Sequence, residues 1–399
     1  MKRSEFLRVA GLLGLSIPIQ SFLVNCSSEG LEDGPVTGGS FNGSVFILGA
    51  GAAGMAAGHL LAQQGIDFRI LEAGPTYGGR MKRTTTFTDF PIPLGAEWLH
   101  SSRADFDAIV NDPSIQVTTQ TRGYNGSTDM VGYYDGSLSM FTLESAFGGD
   151  YDDQKFINST WFDFFDTYVA PGITDRMTFN TQITAINYSD SKVMVTDSSG
   201  ASYSADRVIV TVPLKILQRG DIAFTPDLPA NKRAVISEAT VWSGFKAFFK
   251  FSEKFYPTFL AFPDSETNDG QRLYYDAAYG QTTNDNVLGL FSVGLQAEQY
   301  QQFSGNTLRD YMLNELDTVF DGRASETYIE HIVQNWNAEP FAGAAYLADV
   351  EGSSISTILS QSVDGKLYFA GEAYTKEDDW AAVHNAARAA RDAVRELLA

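Results

Sequence analysis

Residues 45–65 read VFILGAGAAGMAAGHLLAQQG. With Ser44 in front, SVFIL has the apolar, β-rich composition of a strand buried on both faces of a parallel sheet. Gly49, Gly51 and Gly54 follow in G-x-G-x-x-G register, and MAAGHLLAQQG then reads as a helix ending at Gly65. Gly49 permits a tight turn, Gly51 leaves room for a pyrophosphate, and Gly54 lets the helix pack closely on the sheet. The unpaired N–H groups of the first helical turn, together with the helix dipole, attract phosphate. Glycine turns of this kind also occur as structure alone, so the flanks matter. DFRILEAG, residues 67–74, supplies a second strand ending at Glu72. That is roughly 20 residues past the first glycine, where a carboxylate accepts ribose hydroxyls and repels a 2′-phosphate. Strand, turn, helix, strand and acid together describe a dinucleotide site. NAD and FAD both suit it to this point.

Upstream, MKRSEFLR carries Lys2, Arg3 and Arg8, and VAGLLGLSIPIQSFLV follows. The apolar run is about 16 residues, short of the roughly 20 that span a bilayer, and Pro18 and Gln20 interrupt it. A charged start, a short apolar middle and a processing site describe an export signal over residues 1–25. Cys26 is the only cysteine in the chain, so no internal disulfide forms. Its setting, LVNCSSEG, resembles a bacterial lipoprotein box, with Asn25 as the departure, and makes Cys26 the expected lipidation site. KRSEFLR resembles a twin-arginine signal except at Ser4. The glycine- and serine-rich residues 26–43 read as a flexible tether. The expectation is an exported protein, periplasmic or at the cell surface, held to a membrane only by that lipid.

The 399 residues are 44% hydrophobic, enough for two domains with a sizeable core, and carry a net charge of −21. That acidity argues against nucleic acid as a partner. His59, His100, His331 and His384 show no metal-ligand spacing, so no metal is expected.

Downstream, GPTYGGRMKR places Gly78, Gly79 and Arg80 just after the second strand, and PLGAEWLH follows at 93–100. Here the chain resembles the flavin-containing amine oxidase family, and the likeness continues in patches to the C-terminus. In that family the GGR segment meets the FAD pyrophosphate and the LGA segment runs beside the isoalloxazine ring. The residues agree: Arg80 offers a forked set of donors, and Gly95 and Ala96 allow close backbone approach. NTQITAINYSDSKVMVTDSSGASYSADRVIVTVP resembles the return to the FAD domain, with Ile183 at the adenine. In LYFAGEAYTKEDDWAAVHNAARAARDAVREL, the Gly371-Glu372 pair matches the ribitol and pyrophosphate contact. Apolar spacing at Ala382, Ala386, Ala390 and Val394 makes a C-terminal helix, with Asp378 or Asp379 as its N-cap. The FAD contacts expected from turn and resemblance together are Gly49, Gly51, Ala53, Gly54, Glu72, Ala73, Gly79, Arg80, Gly95, Ala96, Glu97, Trp98, Ile183, Gly371, Glu372, Ala381, Ala382 and Val383. The fold class implied is α/β: a Rossmann-like FAD-binding domain over 44–100, 176–213 and 352–399. Interleaved with it is a reduced α+β substrate domain over 101–175 and 214–351.

The resemblance also assigns chemistry. Lys246, in WSGFKAFFKF, matches a lysine that reaches the flavin through water; by pattern alone, Lys246, Phe248 and Lys250 share one face of an edge strand guarded by lysines. Trp336 and Tyr346, in NWNAEPFAGAAY, match the flavin face and one wall of an aromatic cage. The second wall aligns with Ala382, which has no ring, leaving Trp380 as its replacement. His100 and the Val383-His384 pair resemble polyamine-oxidase-like members, and His100 is the substrate-facing candidate. Covalent members carry a cysteine where Ala345 stands, so FAD should be bound non-covalently. The implied reaction oxidises an amine C–N bond, with O2 reduced to hydrogen peroxide. An amino-acid oxidase or flavin desaturase is the rival enzyme; the former needs an arginine for the carboxylate, and Arg103 is the nearest candidate. A lipid-anchored protein that keeps FAD only as structure is the rival of another class.

Overall fold

A computed structural model of the chain describes residues 36, 39, 41–100, 102–147, 153–263, 270–348, 354–376 and 381–399. Residues 1–25, Cys26 and Trp380 lie outside them.

The stretch that opens the reading forms the middle of a five-stranded parallel sheet. Its order is Met177–Thr178, Asp67–Leu71, Ser44–Leu48, Arg207–Val210, Leu367–Phe369. Apolar runs are needed there because both faces are covered. On one face the helix Ala52–Gln63 packs against the C-terminal helix Val383–Leu398, through Ala56, Ala57 and Leu60 on one side and Ala386, Ala390 and Val394 on the other. Alanine-rich faces bring the two helices close. The opposite face packs Leu48, Val208, Val210 and Phe369 against Ile186 and Val195 of a small four-stranded sheet. The C-terminal helix begins at Val383; Ala382 is its extended N-cap residue, and Asp378 and Asp379 fall outside the described residues.

The second layer system is a seven-stranded sheet in the order Tyr328–Asn335, Gly244–Phe251, Asn286–Val293, Gln271–Asp276, Phe259–Ala261, Met130–Tyr134, Leu138–Thr142. All pairs are antiparallel except Phe259–Ala261 with Met130–Tyr134. Strand alternation sorts the side chains of Gly244–Phe251. Phe245, Ala247, Phe249 and Phe251 pack towards the helices Leu295–Gln301 and Gly305–Phe320. Phe248 packs on the opposite face with Phe87, Ile92, Leu94 and Trp98 from the loop that follows the nucleotide motif. Lys246 and Lys250 turn to that loop too, bonding the carbonyls of Pro93 and Phe87. The strand is therefore interior, paired on both sides, and not the lysine-guarded edge that its pattern alone allows. Its lysines are tolerated inside because loop carbonyls and a carboxylate accept hydrogen bonds from their ammonium groups. No helix among the described residues is long and apolar enough to cross a membrane.

One buried lysine belongs to the scaffold. Lys232 donates to the Leu359 carbonyl at 2.6 Å and lies 3.8 Å from the centre of the Phe369 ring. Burial pushes its ammonium down to about 7, against an opposing pull from Glu396. The unfolded chain, with an ordinary lysine, then holds more protons than the folded one between about pH 7 and 10. Stability should therefore climb across that window by up to about 1.4 kcal/mol per pH unit from this group. Denaturant titrations at pH 7, 8 and 9 should show the climb, and Lys232→Met should flatten it.

Candidate active site

The turn after the first strand is built for close approach, but its glycines differ in what they approach. Gly49 has φ +108°, a conformation that disfavours side chains. A Cβ on Gly54 would run into the Gly49 carbonyl, so Gly54 serves helix–strand packing. Gly51 has an extended backbone (φ −77°, ψ −172°) that any residue adopts, and a Cβ there would meet no protein atom within 4 Å. Nothing in the polypeptide demands glycine at 51; the space in front of it does. Gly51 is the N-cap of its helix and Ala382 that of the C-terminal helix, and neither supplies a side-chain cap. Both helix starts border one cavity of about 1050 Å³. That is at the upper end of ordinary ligand sites, roughly 300–1,000 Å³.

Glu72 also borders this cavity. Its carboxylate is fixed by the N–H groups of Ala50 (2.6 Å) and Gly74 (2.7 Å), which leaves lone pairs on each oxygen. Burial raises its pKa, opposed by those two bonds. Arg80 pairs with Glu372 at 2.9 Å and donates to the Ala345 carbonyl. The Arg80 carbonyl takes the Ala96 N–H at 3.0 Å, and a Cβ on Gly95 would strike that same carbonyl and the Trp336 ring. Gly95 is thus glycine because two segments of the wall touch there. Trp336 is pinned by its indole N–H to the Leu94 carbonyl at 3.0 Å.

Lys246 reaches the same wall. Its Nζ donates to the carbonyls of Pro93 (3.0 Å) and Gly95 (3.1 Å) and to Glu97 Oε2 (2.7 Å). Glu97 Oε2 also accepts the Tyr275 hydroxyl at 2.7 Å, and Glu97 Oε1 is bound by Lys155. Burial pulls the Lys246 ammonium below its ordinary range; Glu97 opposes this, and Lys155 adds to it. Glu97, although buried, is held below its ordinary value, with Lys155 the largest stabilising charge and Lys246 next.

Beyond Lys246 the cavity continues past Trp98, His100, Phe291 and Tyr346. Trp98 sits edge-on to Tyr275 with ring centres 4.9 Å apart. His100 Nδ1 lies 3.0 Å from Asp153 Oδ1, and Trp242 packs behind Tyr346 at 5.9 Å. Arg103 stands away from the cavity, donating to the Thr119 carbonyl at 2.7 Å.

Of the expected FAD contacts, Gly49, Gly51, Ala53, Glu72, Ala73, Gly79, Arg80, Gly95, Ala96, Glu97, Trp98, Ile183, Gly371, Glu372, Ala381, Ala382 and Val383 line this one cavity, whereas Gly54 packs behind it. Lys246, Tyr346, Trp336 and His100 line it too; Trp380 lies outside the described residues. Sequence reasoning missed the Glu97 side chain as a charge centre, Lys155, Tyr275, Asp153, and the wall positions of Phe291, His384 and Arg388. For His384 and Arg388 the i, i+4 spacing in a recognisable helix was a usable signal. Among the described residues no group of three or more histidine, cysteine or acidic side chains is placed to hold a metal. A nucleotide with two phosphates and a flat ring suits this wall, which holds an open glycine, two helix starts and a glycine-lined slot beside a buried lysine.

Comparison with known proteins agrees. Residues 131–398 match the family of flavin containing amine oxidoreductases, and residues 47–112 match an NAD(P)-binding Rossmann-like domain. The chain is similar to polyamine oxidase 4 of Oryza sativa subsp. japonica, 23% identical over 86% of each chain. It is 24% identical, over 83% of its own length, to human lysine-specific histone demethylase 2, of which it spans only 50%. In fold it is similar to a putrescine oxidase variant redesigned at its cofactor site, with TM-score 0.72 and 15% identity, covering 90% of this chain and 99% of the other.

Two glycines of one motif should then fail differently. Gly51→Val should leave the melting of the flavin-free protein within about 0.5 kcal/mol of wild type while weakening FAD binding at least about tenfold. Gly54→Val should destabilise the fold itself by about 1–3 kcal/mol through overpacking. Calorimetry on flavin-free protein and FAD titration by fluorescence measure the two effects.

Proposed function

The chain belongs to the flavin containing amine oxidoreductase family, and from that premise we propose that it oxidises a small cationic amine, polyamine-like in class, releasing hydrogen peroxide. The observation that carries this is the meeting of Lys246, His100, Trp98 and Tyr346 around the cavity that the glycine turn opens onto. Bound FAD supplies the two-electron acceptor for the C–H bond beside the amine nitrogen and passes the electrons to O2.

The chain's own residues prepare that step. Trp98, Phe291 and Tyr346 give apolar walls that keep water from the reacting carbon. An ammonium holds its lone pair in an N–H bond, so the substrate must shed a proton before it can be oxidised. His100 Nδ1 lies within hydrogen-bond distance of Asp153 Oδ1, which orients the imidazole on the wall. His100, on the cavity wall, takes the substrate proton. Lys246 holds a proton at Nζ against the Gly95 carbonyl, beside the glycine slot for the flat ring.

Arg103, the nearest candidate to clamp an amino-acid carboxylate, is committed to Thr119 and stands off the cavity, which supports an amine over an amino acid as far as that loop is concerned. The net charge of −21 draws cations towards the protein. We extend the reading to export with a lipid on Cys26; Cys26→Ser should move the protein from the membrane to the soluble fraction.

Anaerobic mixing of the yellow protein with a panel of diamines, polyamines, monoamines and amino acids tests the assignment. Polyamine-class substrates should bleach the flavin, and readmitted air should restore the colour with peroxide released. Bleaching by amino acids alone would reassign the substrate. Lys246→Met should keep FAD and slow reduction or reoxidation by at least about tenfold, some 1.4 kcal/mol of barrier.

A further inference from the structure

Three charged side chains with almost no exposure meet at one point: Glu97 at 1%, Lys155 at 3% and Lys246 at 3%. The arithmetic of charge is unusual. One carboxylate serves two amines, Lys155 on Oε1 and Lys246 on Oε2, with the Tyr275 hydroxyl also on Oε2. Glu97 and Lys246 border the cavity, whereas Lys155 stands behind Glu97, away from it. Register puts it there: in the pairing of Trp98–Leu99 with Gln154–Phe156, Lys155 lies opposite Trp98, the neighbour of Glu97.

A lone buried Lys246–Glu97 pair would be closed to proton exchange. Releasing the lysine proton would strand an uncompensated carboxylate in a dry interior, which costs several kcal/mol. Lys155 removes that obstacle. With it present, a charged Lys246 leaves the cluster at +1 and a neutral Lys246 leaves it at zero, so neither state buries an unpaired anion. The three acceptors around Nζ favour the ammonium, and burial and the neighbouring ammonium oppose them. Resting on the oxidase reading above, we propose that Lys155 is a positioning residue for the reaction, acting through Glu97 so that Lys246 releases and retakes a proton at the cavity wall. The step moves a proton only; no bond other than N–H forms or breaks at the lysine. The other titratable groups around Lys246 are Tyr275, two strands away in the same sheet, and, past the Trp98 ring, Tyr124, which takes the Trp98 indole N–H, and the His100–Asp153 pair. Burial raises the hydroxyls of Tyr275 and Tyr124 far above their ordinary values, so neither ionises in the range of interest.

The test reads the proton directly. FAD-loaded protein carrying 13C-labelled lysine is titrated by NMR, with the Lys246 signal assigned by its loss in Lys246→Met. In wild type that signal should titrate below the range of an ordinary lysine, within the pH range over which the fold survives. Lys155→Gln removes the like charge and should move the midpoint up by at least about one pH unit, Lys155→Arg should leave it near wild type, and Glu97→Gln should move it down. The pH profile of flavin reoxidation should follow the same three directions. A wild-type Lys246 that stays charged across the whole range overturns the proposal, and so does a midpoint that Lys155→Gln and Lys155→Arg move alike. The wild-type titration stands even if a variant fails to fold. It also stands apart from the substrate question: a protein that binds FAD but bleaches with no amine refutes the oxidase reading and leaves the lysine titration to be judged on its own.

Discussion

The ion pairs on Glu97 join the parts of the molecule that must be held in register for the cavity to exist. Glu97 sits in the loop that leaves the nucleotide motif, Lys246 on the second strand of the seven-stranded sheet, and Lys155 in a short strand between them in the chain. Tyr275 adds a second strand of the large sheet. A carboxylate in a dry interior is costly unless each lone pair finds a donor. That demand fixes the loop against the sheet, and the loop in turn carries Gly95, Ala96, Trp98 and His100 to the wall. The same charges that hold the halves together therefore set the field at the reactive end of the cavity.

Elsewhere the wall is organised by the opposite means, the removal of side chains. Gly51 and Ala382 bring no capping side chain of their own to two helix starts that border the cavity. An anion bound at a helix start is stabilised by the helix dipole. Arg80 joins two parts of that wall: its guanidinium is tied to Glu372 while its carbonyl receives the Ala96 N–H.

This division explains what could be read from the residues in order. The strand–turn–helix of 44–65 is local: every contact that makes it lies within a few residues or on the next strand, and composition reveals it. Gly51 is informative because its reason is external to the chain. Lys246 was different. Its alternation with Phe248 and Lys250 gave the right face, but an interior lysine and an edge lysine look alike until the strand's neighbours are known. Lys155 was invisible for a related reason. Its partner lies 58 positions away, and Lys246 lies 149 from the same carboxylate, so only register brings the three together. A lysine beside Gln154 in a polar stretch carries no mark of burial.

The asymmetry of the cavity has a chemical consequence. An acidic protein draws cations, yet the carboxylate that borders the reactive end, Glu97, is already covered by two amines and a hydroxyl. It offers an incoming ammonium almost nothing. Asp153, behind His100, acts on the cavity through the imidazole and not by direct contact. On the proposed amine reading, attraction over long range and proton removal at the site thus fall to different groups. An amine would arrive because it is charged and react only once it is not, and an arrangement that paired it firmly with a bare carboxylate beside the ring would hold it in the unreactive form.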